Sequence, residues 1–328
     1  MSEMLLKHYD LTSPITEFEL SNSGVNNTTV GVRTGEGDYV LKHFQVSHGI
    51  EGIQYEHDLL TWLAGQSLSF QVPASLRTRS GDTFYQDTDG YHTLTPLIEG
   101  SRPNSKDPAH TRSVGAALGE LHAALADYPG TPRPHLTSFA DLGGIHPRVP
   151  HPESLTPKDA GWSATGDLTE LCDWWRTTFQ RVRVFLKQGY PELPVQVIHG
   201  DYGPGNTLYH GDRISAVLDF EFVLPDIRIM DIASGLKFSM RFWENEDCVG
   251  LAKAFYRGYS EHVELTPTER AAIVEAMILL DFVSTIWWLG RHLADEISPT
   301  TERMMQLRDF CAWLETHRSC LENVWNVA

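Results

Sequence analysis

The sequence is poor in cysteine and in positive charge, and its most apolar stretch is interrupted by acidic residues. Four cysteines are spread over 328 residues without a C-x-x-C pair, so we expect no disulfide or zinc framework and favour a reducing, cytoplasmic location. The 26 Lys and Arg residues are outnumbered by 43 Asp and Glu residues, and the net charge of −17 argues against nucleic acid as a partner. Because Glu275 and Asp281 lie within residues 271–290, we expect a buried helix there and no membrane span.

Several common catalytic motifs are also missing. The sequence contains no G-x-x-x-x-G-K-[ST], no H-E-x-x-H and no G-x-S-x-G. These absences argue against a P-loop, a zinc protease of that type and a hydrolase nucleophile elbow. What is present is 41% hydrophobic and 21% charged residues, the composition of a folded globular chain. The length is sufficient for about two structural units.

Hydrophobic periodicity divides the chain into a β-rich first part and a helical second part. Alternating residues broken by Gly- and Asn-rich turns predict a β-meander over residues 18–46, and helical spacing follows over residues 49–64. Another strand is predicted at residues 91–98. We therefore expect residues 1–97 to form a small, mostly β lobe with one helix, and residues 98–328 to form a larger, mainly helical lobe.

The second part is predicted to be helical except around one short strand and one hairpin. The hairpin turns at residues 210–212, where Gly and Asp follow His. A Pro-, Gly- and His-rich segment at residues 127–165 is predicted to be an insertion or a long loop. The predicted elements are helices at 107–126 and 167–187, a strand at 193–198 and the hairpin at 207–218.

Three oxygen-bearing side chains are predicted to converge near this hairpin. Asn206 immediately precedes its first strand and Asp219 follows its second, so both lie at its open end. Asp201 begins the loop that enters the hairpin. Such hard oxygen donors suit Mg²⁺, which fills its remaining positions with phosphate oxygens and water. The alternative is that Asp and Asn are present only because they favour turns, but a turn does not require three of them to converge.

A lysine and a glutamate occupy positions that face the predicted core. Lys42 alternates with Val40 and Phe44 on one strand face, and Glu56 shares a helical stripe with Ile53. Because an unpaired buried charge is costly, we expect the helix to pack on the strand and the two groups to pair. Beside a phosphate-binding cleft, this pair would hold an ammonium group ready for phosphate oxygens. The alternatives are a purely structural ion pair or a lysine that extends to solvent.

With these pieces the chain resembles the aminoglycoside phosphotransferase and choline kinase superfamily, the small-molecule branch of the protein-kinase-like fold. The spacing from Asp201 to Asn206 is that of the kinase catalytic loop H-R-D-x-x-x-x-N. Gly200 replaces the arginine of that loop and Glu221 the glycine of D-F-G. Because a phosphorylated activation loop would have no arginine partner and no A-P-E segment follows, a protein substrate is not expected. The matching pieces are the turn at Gly24, Lys42, Glu56, residues 118–122, residues 199–201 with Asn206, residues 219–221, residues 225–226 and residues 231–233.

The resemblance implies a bilobal α+β kinase fold that binds ATP between its lobes. The adenine would lie against the connector at Leu97 and Glu99, and the phosphates under the turn at Gly24. Lys42 would hold the α- and β-phosphates, and Glu56 would hold Lys42.

The resemblance also implies the catalytic roles. Asn206 and Asp219 would hold one or two Mg²⁺, and Asp201 would orient the acceptor hydroxyl in line with the γ-phosphorus. His199 would brace this loop through hydrogen bonds. His122, on the apolar face of its helix, is interpreted as a core histidine.

The acceptor is inferred from the helix expected at residues 268–294, which begins at a capping box formed by Thr266 and Glu269. A polar stripe on this helix should face a cavity, where an aspartate suits an ammonium group and an arginine suits a carboxylate. A hydroxy amino acid would match both groups. The alternative is an internal network between Asp281 and Arg291 without a ligand. The candidate acceptor residues are Asp281, Ser284, Trp288 and Arg291 on the stripe, together with Glu221.

The turn at residues 24–27, the hinge at residues 97–100 and this helix are most similar to the homoserine-kinase-like subgroup. We therefore expect an ATP- and Mg²⁺-dependent kinase that phosphorylates a hydroxyl of homoserine or a related amino acid. An aminoglycoside kinase would need an acidic acceptor cleft, and a choline or ethanolamine kinase could place Trp287 and Trp288 on the cation. A nucleotide-binding regulator without turnover is a further alternative.

Overall fold

The computed structural model places a five-stranded antiparallel sheet at the N-terminal end, with strand order β1-β2-β3-β5-β4. The structure describes residues 1–20, 28–44, 49–130, 136–163, 165–298 and 301–326. The first lobe comprises α1 (Ser2–His8), β1 (Thr16–Phe18), β2 (Thr28–Arg33), β3 (Asp38–Phe44), α2 (Ile50–Ala64), β4 (Tyr85–Gln86) and β5 (Tyr91–Pro96).

The β-meander and the following helix lie where the periodicity predicts them. In the centre of the sheet Lys42 pairs with Thr29 on one side and with Thr93 on the other. The expectation of a single helix in this lobe is wrong, because α1 precedes the sheet. Its Leu5 and the adjacent Tyr9 are fully buried against the sheet. Seven residues are too few for a helical period to stand out, and tertiary packing stabilises this helix.

The second lobe contains six helices and two short two-stranded sheets in its described part. The expectation that the chain after the hairpin is entirely helical is wrong, because strand β9 follows the hairpin. Its four residues include Pro225 and pair antiparallel with β6, and so short a strand is defined by its partner rather than by its own pattern. The elements are α3 (Pro108–Leu125), α4 (Gly166–Gln188), β6 (Val195–Ile198), β7 (Thr207–His210), β8 (Arg213–Val217), β9 (Leu224–Ile227), α5 (Ile229–Met240), α6 (Cys248–Tyr259), α7 (Pro267–Leu293) and α8 (Thr301–Asn326).

The β7–β8 hairpin is hydrogen-bonded to the chain on both sides of the predicted lobe boundary. Gln71, in the first lobe, donates its amide to Ser215 O (2.8 Å) and accepts the amide of Val217 (3.0 Å). Ser101, in the connector, exchanges two backbone hydrogen bonds with Tyr209 (3.0 and 2.7 Å). The open end of the hairpin is therefore held at the junction of the lobes.

Helix α2 packs with the core of the second lobe as well as carrying Glu56. Leu59, Leu60 and Leu63 belong to the large hydrophobic cluster that contains the helices of the second lobe. The sheet and α1 enclose a separate, smaller cluster. The boundary between residues 97 and 98 stays a prediction, and α2 is the element that couples its two sides.

The segment predicted as an insertion or long loop is packed against the second lobe. Within residues 136–163 the structure has one 3₁₀ turn, Pro152–Ser154. Leu142 and Leu155 are buried in the large core, and the His146 ring lies edge-on to Trp287 of α7. This segment therefore forms one wall of the lobe rather than an exposed loop.

Helix α7 is the central helix of the second lobe. Its capping box is present as predicted, with the Thr266 hydroxyl accepting from the Glu269 amide and the Glu269 carboxylate accepting from the Thr266 amide. The helix is long and apolar enough to cross a bilayer, but 72% of its most apolar window is buried inside the fold. The expectation of a buried core helix at residues 271–290 is therefore confirmed.

Gly115 and Gly119 of α3 and Gly258 of α6 allow the two helices to cross closely. We expect alanine at Gly115 to destabilise the fold. A Cβ at Gly115 would lie 1.9 Å from the backbone oxygen of Phe255, so one helix would have to move. Gly115→Ala should lower the free energy of unfolding by about 1–3 kcal/mol, as overpacking of a core does. Urea unfolding followed by circular dichroism measures the change.

Gly166→Ala is the matched control for this prediction. Gly166 begins α4, and a Cβ there would meet no atom within 4 Å. We expect this variant to be neutral or stabilised by about 0.5–1 kcal/mol, because alanine is the better helix former. Equal stability of the two variants would contradict the packing argument for α3 and α6.

Candidate active site

The loop that carries Asp201 is held by a buried carboxylate from α5. Asp231 is fully buried and accepts the amides of His199 (2.7 Å) and Gly200 (2.8 Å). The imidazole of His122 lies 3.1 Å from the same carboxylate. The interpretation of His122 as a core histidine is therefore confirmed, and its core role is to support the loop. Sequence reasoning assigned Asp231 no such role, although it lies within the residues 231–233 of the resemblance.

Gly200 has a backbone conformation that explains why arginine is absent here. Its φ is +82°, and a Cβ would lie 2.3 Å from the backbone oxygen of Phe222. A side chain would therefore be strained and would collide with the turn at residues 220–222. His199 braces the loop as expected: its imidazole lies 2.9 Å from Leu218 O and accepts the Asp201 amide at 3.3 Å.

The structure brings Asp201, Asn206 and Asp219 to the open end of the hairpin. The Asn206 side-chain amide donates to the backbone oxygen of Asp201 (2.8 Å) and to its carboxylate (2.9 Å). The Leu218 amide donates to Asn206 O (2.8 Å), which places Asp219 beside this pair. Because the amide nitrogen of Asn206 is engaged by Asp201, its amide oxygen is left to ligate a cation.

Asp219 adopts an unusual backbone conformation. Its φ and ψ are both 64°, in the left-handed region that non-glycine residues rarely occupy. Such geometry costs on the order of 1 kcal/mol and is commonly found where a side chain must be aimed at a ligand. The Asp219 side chain is 37% exposed and lies at the wall of a cavity.

Lys42 connects this hairpin to the first lobe. Its ammonium group lies 3.5 Å from the Glu56 carboxylate and 3.9 Å from that of Asp219. Burial acts to lower the pKa of Lys42, but the carboxylates of Glu56, Asp219 and Glu221 outweigh it and raise the pKa. The predicted pairing of Lys42 and Glu56 is therefore observed, and Lys42 is charged at the mouth of the hairpin.

Burial raises the pKa of the Asp201 carboxyl to about 6, with the charges of Asp219 and Asp231 adding to the increase. His199 and the hydrogen bond from Asn206 act in the opposite direction. A carboxylate of this basicity is a better proton acceptor than an ordinary aspartate near neutral pH.

The connector residues lie between β5 and α3. The Leu97 amide donates to Asp38 O (2.9 Å), and the Ser215 hydroxyl donates to Glu99 O (3.2 Å). Contact of Leu97 and Glu99 with adenine stays a prediction. Gly24 lies outside the described residues.

One cavity of about 860 Å³ joins the hairpin to the C-terminal helices. At one end it is lined by the three oxygen-bearing residues and at the other by α7 and α8. The polar stripe predicted on α7 therefore faces a cavity, and it is the cavity that contains Asp201. The charged residues on its walls are Arg102, Asp201, Asp219, Glu221, Lys237, Asp281, Arg291 and Arg303.

The alternative of an internal network between Asp281 and Arg291 is not observed in the described part of the chain. Asp281 forms an ion pair with Lys237 of α5, and Arg291 pairs with Glu296 (2.8 Å) just beyond α7. Burial, with a smaller contribution from Arg303, lowers the pKa of Lys237 to about 7. Lys237 is a charged residue among the mostly apolar residues of α5. The same pattern, a charge on an apolar face, identified Lys42, but sequence reasoning did not apply it to Lys237. It also missed Arg102 and Arg303.

The donor set at the hairpin fits a metal bound jointly by protein and phosphate. Within the described ranges there is no group of three His, Cys, Asp or Glu residues that could hold a metal ion by itself. The open end of the hairpin offers a metal ion one carboxylate, from Asp219, and one amide oxygen, from Asn206. Mg²⁺ is commonly bound in this way, with substrate phosphates and water completing its shell.

We expect Asp231→Asn to destabilise the protein and to loosen the Asp201 loop. The substitution removes a buried charge that accepts two amides and faces His122, so the free energy of unfolding should fall by about 3–5 kcal/mol. Thermal unfolding and hydrogen exchange at residues 199–201 measure the two effects. Asp212→Asn at the exposed hairpin turn is the control and should change neither. Unchanged stability of Asp231→Asn would contradict the bracing role.

The fold and the site define a class, the phosphotransferases of the protein-kinase-like fold that act on small molecules. The chain belongs to the phosphotransferase enzyme family, whose family model matches residues 17–272. The resemblance and the fold class predicted from it are confirmed. ATP and a divalent cation are the cofactors of this class.

The similar proteins agree with this assignment. A homoserine kinase from Caulobacter sp. (strain K31) is 30% identical over 276 residues, which cover 82% of this chain and 78% of that protein. A homoserine kinase from Caulobacter vibrioides (strain NA1000 / CB15N) is 28% identical over 276 residues, 83% of this chain and 80% of that protein.

Solved structures show the same fold. A microcompartment-associated aminopropanol kinase has a TM-score of 0.71 at 19% identity and covers 98% of both chains. An amicoumacin kinase in complex with AMP-PNP and Ca²⁺ has a TM-score of 0.69 at 16% identity, over 96% of this chain and 92% of that chain.

Proposed function

We propose that this protein is an ATP- and Mg²⁺-dependent kinase of a small hydroxy amino acid, with homoserine as the first candidate acceptor. The observation that carries the proposal is the cavity that joins Asp201, Asn206 and Asp219 to an end rich in arginine and tryptophan on α7 and α8. The similarity to proteins described as homoserine kinases supports it.

In this proposal the first lobe holds the nucleotide. Lys42 contacts the α- and β-phosphates and is kept in place by Glu56, and the turn predicted from the sequence at Gly24 would cover the phosphates. Leu97 and Glu99 lie along the adenine. Asn206 and Asp219 would hold Mg²⁺, which would neutralise the phosphate charge.

Asp201 accepts a hydrogen bond from the acceptor hydroxyl and orients it toward the γ-phosphorus. A bond forms between the hydroxyl oxygen and the γ-phosphorus, the bond to the β–γ bridging oxygen breaks, and ADP leaves. The hydroxyl proton passes to Asp201. Positioning and charge neutralisation supply most of the rate enhancement in such a transfer.

The acceptor end favours an amino acid over the alternative acceptors. The carboxylates of Asp281 and Glu221 line the cavity and would attract an ammonium group, and the guanidinium groups of Arg291 and Arg303 beside Trp288 would attract a carboxylate. Aminoglycosides and choline carry no carboxylate, so the cations Lys237, Arg291 and Arg303 would gain no anionic partner from them. The complete set of Lys42, Asp201, Asn206 and Asp219 argues against a regulator without turnover.

We place the reaction in the cytoplasm, with a small molecule and no nucleic acid or membrane as partner. All four cysteines are free, and Cys172, Cys248 and Cys311 are buried. Reduced thiols of this kind are typical of intracellular proteins.

A coupled assay of ADP release over a panel of acceptors tests the proposal. We expect Mg²⁺-dependent turnover with homoserine and much lower turnover with kanamycin, choline and ethanolamine. Highest turnover with an aminoglycoside or with choline would contradict the proposed acceptor class. Mg²⁺-dependent ATP binding with no turnover of any acceptor would support the regulator instead.

A further inference from the structure

The wall of the cavity opposite the hairpin contains a guanidinium group without a carboxylate partner. Arg303, in the first turn of α8, lines the cavity, and its guanidinium carbon lies 4.0 Å from the centre of the Trp288 ring. In the part of the chain that the structure describes, no carboxylate lies within ion-pair distance of it. Arg291, by contrast, is already paired with Glu296, although it also lies over Trp288 at 5.3 Å.

Contact with the Trp288 ring restricts where the Arg303 guanidinium can lie. The N–H donors of a guanidinium group lie in one plane, where they can bind a carboxylate in a bidentate manner. Helix α8 holds the residue in this position, because Met304 and Leu307 are buried in the core while Gln306 and Phe310 also line the cavity. Arg303 is therefore presented to the cavity by a rigid element.

The positive charge of Arg303 is not balanced by the charged residues that the structure describes around it. Burial lowers the pKa of Lys237, and the nearby charge of Arg303 lowers it further. Asp281 compensates Lys237, and Glu296 compensates Arg291. Arg303 is the remaining cation at the α7–α8 end of the cavity within the described residues, and an anionic group of the acceptor would neutralise it.

We propose that Arg303, which lies over Trp288, binds the carboxylate of the acceptor and makes the enzyme selective for hydroxy amino acids over the corresponding amino alcohols. This inference rests on the proposed function and specifies its substrate class. The family match ends at residue 272, so both Arg303 and Trp288 lie in the part of the chain beyond the shared catalytic elements.

Three pairs of acceptors that differ only by a carboxylate test this inference. They are homoserine and 3-aminopropan-1-ol, serine and ethanolamine, and threonine and 1-aminopropan-2-ol. The wild-type enzyme should prefer the amino acid in the pair it phosphorylates best. Arg303→Ala should lower kcat/KM for that amino acid by about 10- to 100-fold, mainly through KM, as expected for loss of a charge-assisted hydrogen bond.

The amino alcohol separates a binding role from a structural one. Arg303→Ala should leave kcat/KM for the amino alcohol nearly unchanged, and Arg303→Lys should retain part of the preference because it keeps the charge. Arg308→Ala, on the same helix but outside the cavity wall and paired with Asp309, is the matched control and should behave as wild type.

The outcomes distinguish this inference from the proposed function. Phosphorylation of an amino acid with equal losses on both members of its pair in Arg303→Ala, or with no loss on either, would overturn the role of Arg303 alone. A wild-type preference for the amino alcohols would overturn the carboxylate subsite while leaving a small-molecule kinase. Absence of turnover with all three pairs would refute the proposed function itself.

Discussion

Asp201→Asn is expected to lower kcat by about 100-fold or more while leaving the affinity for ATP nearly unchanged. Asparagine has the shape of aspartate, so the Asn206 contact and the loop held by Asp231 should survive. It cannot accept the hydroxyl proton, which the near-neutral pKa of Asp201 equips this carboxylate to do. Steady-state kinetics and nucleotide titration measure the two quantities.

Asp212→Asn is the control for the Asp201 experiment, because it makes the same chemical change at an exposed position of the hairpin turn. Its kcat should equal that of the wild type. If Asp201→Asn retained near-normal turnover, Asp201 would not be the residue that activates the acceptor hydroxyl, and the proposed mechanism would be wrong.

Lys42→Met is expected to lower kcat/KM for ATP by about 100-fold or more, the effect typical of losing a preorganised charge in an active site. Lys42 lies between the carboxylates of Glu56 and Asp219. Methionine would fill a similar volume but would leave these acidic groups without their shared cation and facing the phosphates. The loss should therefore affect both nucleotide binding and phosphoryl transfer.

Two further variants test whether the effect of Lys42→Met is specific to the Lys42 charge. Glu56→Gln should have a smaller effect, about 10-fold, because the ammonium group remains but loses a charged partner. Lys253→Met on the exposed face of α6 should have none. If Lys42→Met bound and used ATP normally, the Lys42–Glu56 pair would be structural only.

The residues proposed to contact the acceptor lie only partly within the region that the family model matches. The family match covers residues 17–272, which include the sheet, the Asp201 loop and the hairpin. Most of α7 and all of α8 follow this region, and they supply Trp288, Arg291 and Arg303 to the cavity. Under the proposed function, acceptor contacts would therefore come both from these two helices and from Glu221 and Lys237 within the matched region.

Local pattern was sufficient to predict the catalytic end of the site. The spacing of Asn206 and Asp219 around a two-stranded hairpin brings them together whatever the rest of the fold does, because antiparallel pairing dictates which residues share an end. The predicted pairing of Lys42 with Glu56 was equally local, since each charge lay on a face of clear period and could not be buried alone. The capping box at Thr266 and Glu269 needed only four consecutive residues.

The acceptor end depended on contacts between elements far apart in sequence. Sequence periodicity predicted that Asp281 and Arg291 face a cavity, but it could not predict that Lys237 from α5 and Glu296 would be their partners. Arg303 lies on α8, whose orientation follows from how its apolar side chains pack on α6 and α7. Helix α1 and strand β9 were missed because elements of seven and four residues are stabilised by their tertiary partners rather than by their own pattern.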